Sequence, residues 1–173
     1  MNKPLLWQFA PFYNGYVQRT IDCNSIDELV EKHHSATIDY YNNLPDSLAD
    51  FAYAEGKWTI KQVLQHIIDT DRIFGYRLLR IIRGDKTVLP GFDENFFANA
   101  TLNSNRSINS LKKEFLVVRE ANLFLVQSVT EEQLYNYTTM SGSPITANAL
   151  IYIIYGHLLH HQQVLNERYL SKY

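Results

Sequence analysis

The chain contains strong helix-start signals, and long segments of helical hydrophobic spacing follow them. Ser25 with Glu28, and Thr59 with Gln62, match the capping box, in which each side chain bonds an otherwise unpaired backbone N–H of the first turn. Apolar residues then recur with a period of about 3.6 residues. Alternation with a period of two residues never persists, so the sequence predicts an all-α protein without strands.

These signals predict four long helices joined by loops of medium length. Pro45 ends the first helix and Gly84 supplies a left-handed stop for the second. The predicted helices span residues 25–44, 59–83, 107–129 and 146–170, with an irregular lead-in at 1–24, loops at 85–105 and 135–144, and a short helical turn at 130–133. Such an arrangement indicates a four-helix bundle, whose metal sites are built from side chains on facing helices.

Length and composition indicate one globular domain. The 173 residues are 46% hydrophobic, which is enough to bury a core without disulfides, so we expect residues 1–173 to form a single domain. Sixteen basic and 18 acidic residues give a formal charge of −2, with no basic stripe. Nucleic acid is therefore disfavoured as a partner, and we expect a small-molecule substrate.

Neither the N-terminus nor the most apolar segment predicts targeting or membrane insertion. Residues 1–10 lack the pattern of a signal peptide, and the apolar segment 150–159 is far shorter than the roughly 20 residues of a membrane span. Cys23 is the one cysteine, so no disulfide within the chain and no thiolate metal cluster is expected. We expect a cytoplasmic protein, in which any metal is held by histidine and carboxylate.

Three of the six histidines lie in one apolar stretch, at His157, His160 and His161. On a helix, His157 and His161 share the core stripe one turn apart, whereas His160 lies about 60° away at its edge. His66 points inward from the second predicted helix. A buried imidazole nitrogen without a partner costs roughly 1 to 3 kcal/mol, and a divalent metal removes that cost by accepting the lone pair.

The pattern therefore predicts a metal site at His66, His157 and His161. For each histidine taken alone, the alternative is a core residue bonded to a tyrosine or a backbone carbonyl. Three neutral nitrogen ligands leave a coordination position open, which is typical of catalytic sites. The spacing does not choose among zinc, nickel, iron and manganese.

Residues near these three histidines have further candidate roles. Asp69, one turn after His66, could accept the His N–H opposite the metal or act as a base; a helix-surface charge is the alternative. Leu158 follows His157, so the His-Glu-x-x-His pattern of metalloproteases is excluded.

Two other histidines and three arginines are less directly tied to the site. The helical spacing places His33, but not His34, on the apolar side of the first helix, as a candidate pocket residue. His33 and His160 are both alternatives for a fourth ligand, and neither is favoured. A solvated or salt-bridged face is favoured over anion binding for the arginines of the second helix, Arg77, Arg80 and Arg83.

Two blocks of sequence carry a family resemblance. Residues 56–69 contain a tryptophan followed by a His-x-x-Asp helix, and residues 156–161 read Gly-His-x-x-His-His. With these blocks, and with 83–85 and 90–93 between them, the chain resembles the DinB/YfiT-like superfamily, nearest its YfiT-like branch. The resemblance implies an up-down-down-up four-helix bundle, commonly a homodimer, with a divalent metal on three histidines that match His66, His157 and His161.

The resemblance also suggests activities. Members include bacillithiol S-transferases, mycothiol-dependent isomerases and metal-dependent hydrolases, and relatives often carry glutamate where this chain has Leu158. The first expectation is a metal-dependent transfer of a low-molecular-weight, bacillithiol-like thiol to an electrophile. The second is a hydrolase that uses metal-bound water at the same site. The third is a non-catalytic, dimeric, stress-related metal-binding module.

Overall fold

The computed structural model describes residues 3–101 and 105–171 of the chain. Its helices are α1 (Asn14–Val17), α2 (Ile26–Asn42), α3 (Ile60–Ile82), α4 (Glu94–Ala100), α5 (Ile108–Gln127) and α6 (Ala147–Val164), and its strands are β1 (Tyr137–Met140) and β2 (Ser143–Thr146). A π-helical turn, Leu165–Leu170, extends α6. Residues 102–104 of the predicted loop, and residues 1, 2, 172 and 173 of the predicted domain, lie outside the described ranges.

The long helices begin where their capping residues predict. Thr59 and Gln62 form the complete capping box, with N–H to side-chain oxygen distances of 2.8 and 3.2 Å. At the start of α2 only half of the predicted box forms. The Ser25 hydroxyl accepts from the Glu28 N–H at 3.1 Å, but the Glu28 carboxylate accepts from the N–H of Asn24 instead of Ser25. The helix still begins at Ile26 after the Ser25 cap, and only the second hydrogen bond of the box reaches one residue further upstream.

Side-chain contacts reveal the helix directions. The contacting residue pairs show that α3 is parallel to α5, because residue numbers rise together in both helices. In the same way α2 is antiparallel to α5 and parallel to α6. The contacts are Gln65–Arg106, Asp71–Arg119, His34–Glu120, Leu44–Lys112, Cys23–Tyr152 and Tyr40–Asn166. The chain therefore runs up along α2, down along α3 and α5 and up along α6, which confirms the predicted four-helix bundle.

Helix α6 is the central element of the core. Every residue from Ala147 to Leu158 is buried, which is the pattern of a helix packed on all sides. The lead-in covers one of those sides. A Cβ atom at Gly156 would lie far inside contact distance of the Tyr16 carbonyl oxygen, so only glycine permits this approach. The sequence predicts an irregular lead-in, but the segment forms short helical turns. These are Leu6–Gln8, Pro11–Tyr13, α1 and Gln18–Thr20.

The structure corrects two predictions about the connections. The segment predicted as a loop at 135–144 contributes to an antiparallel hairpin, in which Tyr137 pairs with Thr146 and Met140 with Ser143. Ser141 and Gly142 turn the chain with φ values of 52° and 81°, as a tight hairpin turn requires. Four residues per strand are too few for a persistent alternation in the sequence.

The second correction concerns the predicted loop 85–105, which contains α4. The Asp93 side chain starts this helix by accepting from the N–H groups of Asn95 and Phe96, at 2.9 and 3.0 Å. Leu89, just upstream, pairs with the hairpin through its N–H to the Thr139 carbonyl at 2.8 Å. Hairpin and loop together close one end of the bundle. Within the described residues, no helix has the length and apolar character needed to span a bilayer.

Candidate metal centre

Three histidine side chains meet between α3 and α6. The Nε2 atom of His157 lies 3.1 Å from Nε2 of His66 and 3.0 Å from Nε2 of His161. His157 and His161 meet because they are one helical turn apart, and α3 crosses α6 where His66 faces them. The structure therefore brings together the three residues that the sequence predicts as ligands, as one of the candidate metal-binding groups in its described residues.

Hydrogen bonding among the histidines leaves their nitrogen atoms unsatisfied. The Nε2 atom of a neutral imidazole carries either one proton or one lone pair, so the His157 Nε2 cannot bond both neighbours. Its Nδ1 atom is also buried and lacks a partner. A shared divalent ion would accept all three Nε2 lone pairs. Nitrogens about 2.0–2.1 Å from one ion lie roughly 3 Å apart, so the observed spacing fits such an ion.

Burial keeps these histidines neutral, which is the form that binds a metal. Burial, aided by His160, lowers the pKa of His66 to about 4. Burial and the neighbouring imidazoles hold the pKa values of His157 and His161 well below the usual value. Binding of a metal therefore requires no prior loss of protons from these imidazoles near neutral pH.

The three histidines lie at one side of a cavity of about 450 Å³. Its walls come from the lead-in, α3, the segment before α4, the hairpin turn and α6. The remaining lining residues are Phe12, Tyr13, Tyr16, Trp58, Thr70, Phe74, Arg77, Gly91, Phe92, Glu94 and Ser141. A largely aromatic cavity with a few polar groups is typical of a small-molecule site. The lead-in and hairpin residues have no motif that would have identified them from the sequence.

The sequence predicts a solvated or salt-bridged face for Arg77, but this residue is a buried cation that lines the cavity. It is 4% exposed, donates to the Pro90 carbonyl at 2.6 Å, and has its guanidinium near the Phe92 ring. Burial lowers the pKa of Arg77, whereas Tyr13 acts in the opposite direction. By contrast, Arg80 fulfils the prediction, because its Nε donates to Asp85 at 2.6 Å.

Asp69 does not contact the histidine group through any hydrogen bond seen in the described residues. Its carboxylate accepts from the Gln65 amide at 2.8 Å, and burial raises its pKa. It is also absent from the described residues that line the cavity. A part for Asp69 in positioning or in proton transfer stays a prediction.

Of the remaining histidines, His33 and His34 differ from their predicted positions, whereas His160 does not. His34, not His33, is the buried residue, at 6% exposed, and its Nε2 lies 3.2 Å from Glu120. His33 is not among the cavity residues; it lies beside Asp22 and Cys23. His160 flanks the site as expected, with its ring edge-on to those of Tyr16 and His161.

Leu158 is turned away from the cavity. It is fully buried in a second apolar cluster, with Tyr41 and Phe115 among its members. The Tyr41 hydroxyl donates to its carbonyl at 2.7 Å. A carboxylate at this position would therefore enter the apolar core of this chain and not the site.

Fold and site together define a class of protein, a four-helix bundle with a three-histidine candidate metal centre beside a small-molecule cavity. The sequence pattern of the DinB superfamily matches residues 29–165, and the chain belongs to that superfamily. Two solved structures share the fold. YfiT from Bacillus subtilis, described as a probable metal-dependent hydrolase with an unusual four-helix bundle topology, matches with a TM-score of 0.72 at 16% identity, over 98% of this chain and 93% of that one.

The second structure is the DinB-like protein YjoA from Bacillus subtilis, with a TM-score of 0.56 at 21% identity over 82% of this chain and 87% of that one. A sequence relative from Oceanobacillus iheyensis, named "Putative metal-dependent hydrolase OB0413", is 29% identical over 93 residues. That match covers 54% of this chain, and the chain spans about half of the relative's length. The predicted up-down-down-up bundle of the DinB/YfiT type is confirmed.

Proposed function

We propose that this protein is a divalent-metal-dependent enzyme that transfers a low-molecular-weight thiol to a small electrophile in the aromatic cavity. The observation that carries the proposal is the convergence of three neutral imidazoles on a cavity whose described lining contains one carboxylate, the exposed Glu94. Such a site favours a nucleophile that needs no buried protein base. A bound divalent ion supplies the charge that keeps a thiol deprotonated near neutral pH.

The residues of the chain bind and orient the two reactants. Arg77 provides a fixed cation for an anionic group, such as a carboxylate, on one of them. Trp58, Phe74 and Phe92 provide apolar surface for the electrophile and exclude water. In the transfer, a carbon–sulfur bond forms, the leaving group departs with its electron pair, and the thiol proton passes to solvent. The thiol and the electrophile meet within one cavity, which is the main contribution of the protein itself.

Thiol conjugation by the metal-loaded protein tests this function directly. We expect conjugation of a thiol bearing a carboxylate to an electrophile, and loss of the activity when the metal is removed by a chelator. Arg77→Gln should raise the KM for the anionic reactant more than it lowers kcat, because the cation binds and does not react. Arg80→Gln is the matched control, since Arg80 lies one turn away and pairs with Asp85 outside the cavity.

Hydrolysis is the second candidate function, and the descriptions of YfiT and of the Oceanobacillus protein favour it. Water would then take the place of the thiol at the same site. Ester and amide hydrolysis by the same metal-loaded protein, without conjugation, would replace the first proposal by this one. Absence of both activities, with metal-dependent thermal stability, would leave the non-catalytic metal-binding module. The homodimer, the cytoplasmic location and the identity of the metal stay predictions.

A further inference from the structure

A second group of metal-ligating side chains lies apart from the three histidines. Asp22 and Cys23 come from the turn before α2, and His33 comes from α2 itself. One donor atom from each residue lies within 4.8 Å of the other two. The turn is held by the Cys23 N–H, which donates to the Thr20 carbonyl at 3.1 Å. The group combines a thiol, an imidazole and a carboxylate, each of which binds transition metals in proteins.

Hydrogen bonds within the group do not account for its arrangement. The Nε2 atom of His33 is shielded from solvent and has no hydrogen-bond partner. Cys23 is fully buried, and its Sγ lies 3.8 Å from Asp22 Oδ1, which makes at best a weak contact. A buried nitrogen without a partner costs roughly 1 to 3 kcal/mol, so this group has a reason to take up a ligand.

We propose that Asp22, Cys23 and His33 form a second metal site, which binds a zinc-class divalent ion. Thiolate and imidazole ligands select such ions over magnesium and calcium, and the three ligands leave one position for water. Ligand atoms on a tetrahedral zinc lie roughly 3.5 Å apart, and Cys23 Sγ is already 3.8 Å from Asp22 Oδ1, so these two donor atoms need to approach only slightly. Asp22 has the freedom to do so because its side chain is 56% exposed.

The charges around the group are compatible with a dication. Burial raises the pKa of the Cys23 thiol, so the thiol is protonated without an ion, and binding releases that proton to solvent. The resulting thiolate and the Asp22 carboxylate neutralise the ion. Lys32, which pairs with the other carboxylate oxygen of Asp22, is exposed and can move away at little cost.

An ion at this position would fasten the lead-in to the bundle. It would link the turn to the second turn of α2, and the Cys23 carbonyl already accepts from the Tyr152 hydroxyl on α6 at 3.2 Å. The ion would therefore act on the position of the lead-in, and the proposal does not rest on the thiol transfer proposed above. The lone cysteine gave no reason to expect it, because the sequence does not reveal that His33 folds back onto the preceding turn.

Cobalt(II) loading of the metal-free protein tests the proposal, because a cysteine thiolate on cobalt gives a near-ultraviolet charge-transfer band that histidine ligands do not give. We expect this band in the wild-type protein and in His161→Ala, whose three-histidine group is broken. Cys23→Ser should lose the band while it still binds cobalt at the three histidines. His33→Gln should weaken the cobalt affinity, measured by the band, at least about tenfold. Loss of a residue that only supports a ligand typically weakens metal affinity about 10- to 100-fold, so loss of a ligand should cost no less.

Glu31→Gln is the matched control, since Glu31 is an exposed acidic residue of the same helix, two positions from His33 in the sequence. It should leave the band and the affinity unchanged, which separates ligation from a general loss of negative charge. Circular dichroism must show that each variant keeps its helices. A folded wild-type protein that takes up cobalt without the thiolate band, or a band that persists in Cys23→Ser, would overturn the proposal.

Discussion

Two buried polar clusters lie close together in the bundle and differ in how their polar groups are paired. His66 of α3 faces His157 and His161, and the three Nε2 atoms converge although the His157 Nε2 can bond only one of its two neighbours. Asp71, five residues further along α3, meets Arg119 of α5 at 3.2 Å, with exposed fractions of 0% and 1%. The first cluster offers imidazole lone pairs without a cation to bind them, whereas the second already contains its own cation.

The difference separates a ligand site from a structural core. The Arg119 guanidinium also lies over the Tyr155 ring, and Asn122 donates to the Asp71 carbonyl at 3.0 Å. The ion pair is therefore embedded in further polar contacts, although burial still raises the pKa of Asp71 against the opposing effect of Arg119. The histidine cluster opens on a cavity, and within the described residues none of its imidazoles forms an ion pair like that of Asp71 with Arg119. Variants of the two clusters should accordingly affect different measurements.

The largest effect is expected at the ion pair. Arg119→Met leaves the Asp71 carboxylate buried without its cation and should lower the free energy of unfolding by about 3–5 kcal/mol. Chemical denaturation measures this loss. The double variant Asp71→Leu with Arg119→Met should recover most of it, because a buried ion pair replaced by apolar residues is often neutral or stabilising. A single variant as stable as the wild type would contradict the structural role of the pair.

His157→Ala should act on the metal instead. Because its Nε2 lies between those of the other two histidines, its removal should weaken divalent-metal affinity at least about 100-fold, more than the loss of an outer partner. Calorimetric titration of the metal-free protein measures the affinity. His160→Ala is the matched control, since His160 is the neighbouring imidazole outside the ligand group, and it should keep nearly the wild-type affinity.

The sequence predicts the bundle and the histidine cluster because both depend on local rules. Capping boxes and a 3.6-residue period are properties of single helices, and His157 with His161 needs only helical spacing. The sequence does not predict that Arg77 lies in the cavity. The last three arginines of the predicted helix recur every three residues, and their spacing does not indicate which of them another element covers. Arg77 is covered by the segment at Pro90, which follows the end of α3 and folds back onto it.

Other features were missed because they arise where distant segments meet or because their patterns are short. The hairpin strands have four residues each, and α4 has seven. The sequence places the buried face of the first helix about one residue away from its observed position. Its apolar stripe is wide, and both His33 and His34 lie near the edge of that stripe. Contact with Glu120 of α5 decides that His34 is the buried one.

Gly156→Ala tests how the lead-in closes the cavity next to the histidine cluster. The added methyl group would displace the Tyr16 backbone, so the variant should lose about 1–3 kcal/mol of unfolding free energy, a typical cost of overpacking. It should also expose the cavity, because Tyr13 and Tyr16 line it. Gly15→Ala is the matched control: its Cβ would meet only the Arg19 guanidinium at 3.9 Å, so stability should change little.

The metal-free protein should also show a pH dependence of its stability that belongs to the histidine cluster. The pKa of His66 is about 4 in the folded chain, against 6.5 for an ordinary histidine, so the unfolded chain binds more protons between these values. Unfolding free energy should therefore fall as the pH falls from 6.5 towards 4. Denaturation with a chelator present measures the slope, and the three coupled imidazoles contribute to it jointly. His66→Gln should reduce the slope; an unchanged slope would mean that the cluster is not held neutral by burial, and its contrast with the ion pair would fail.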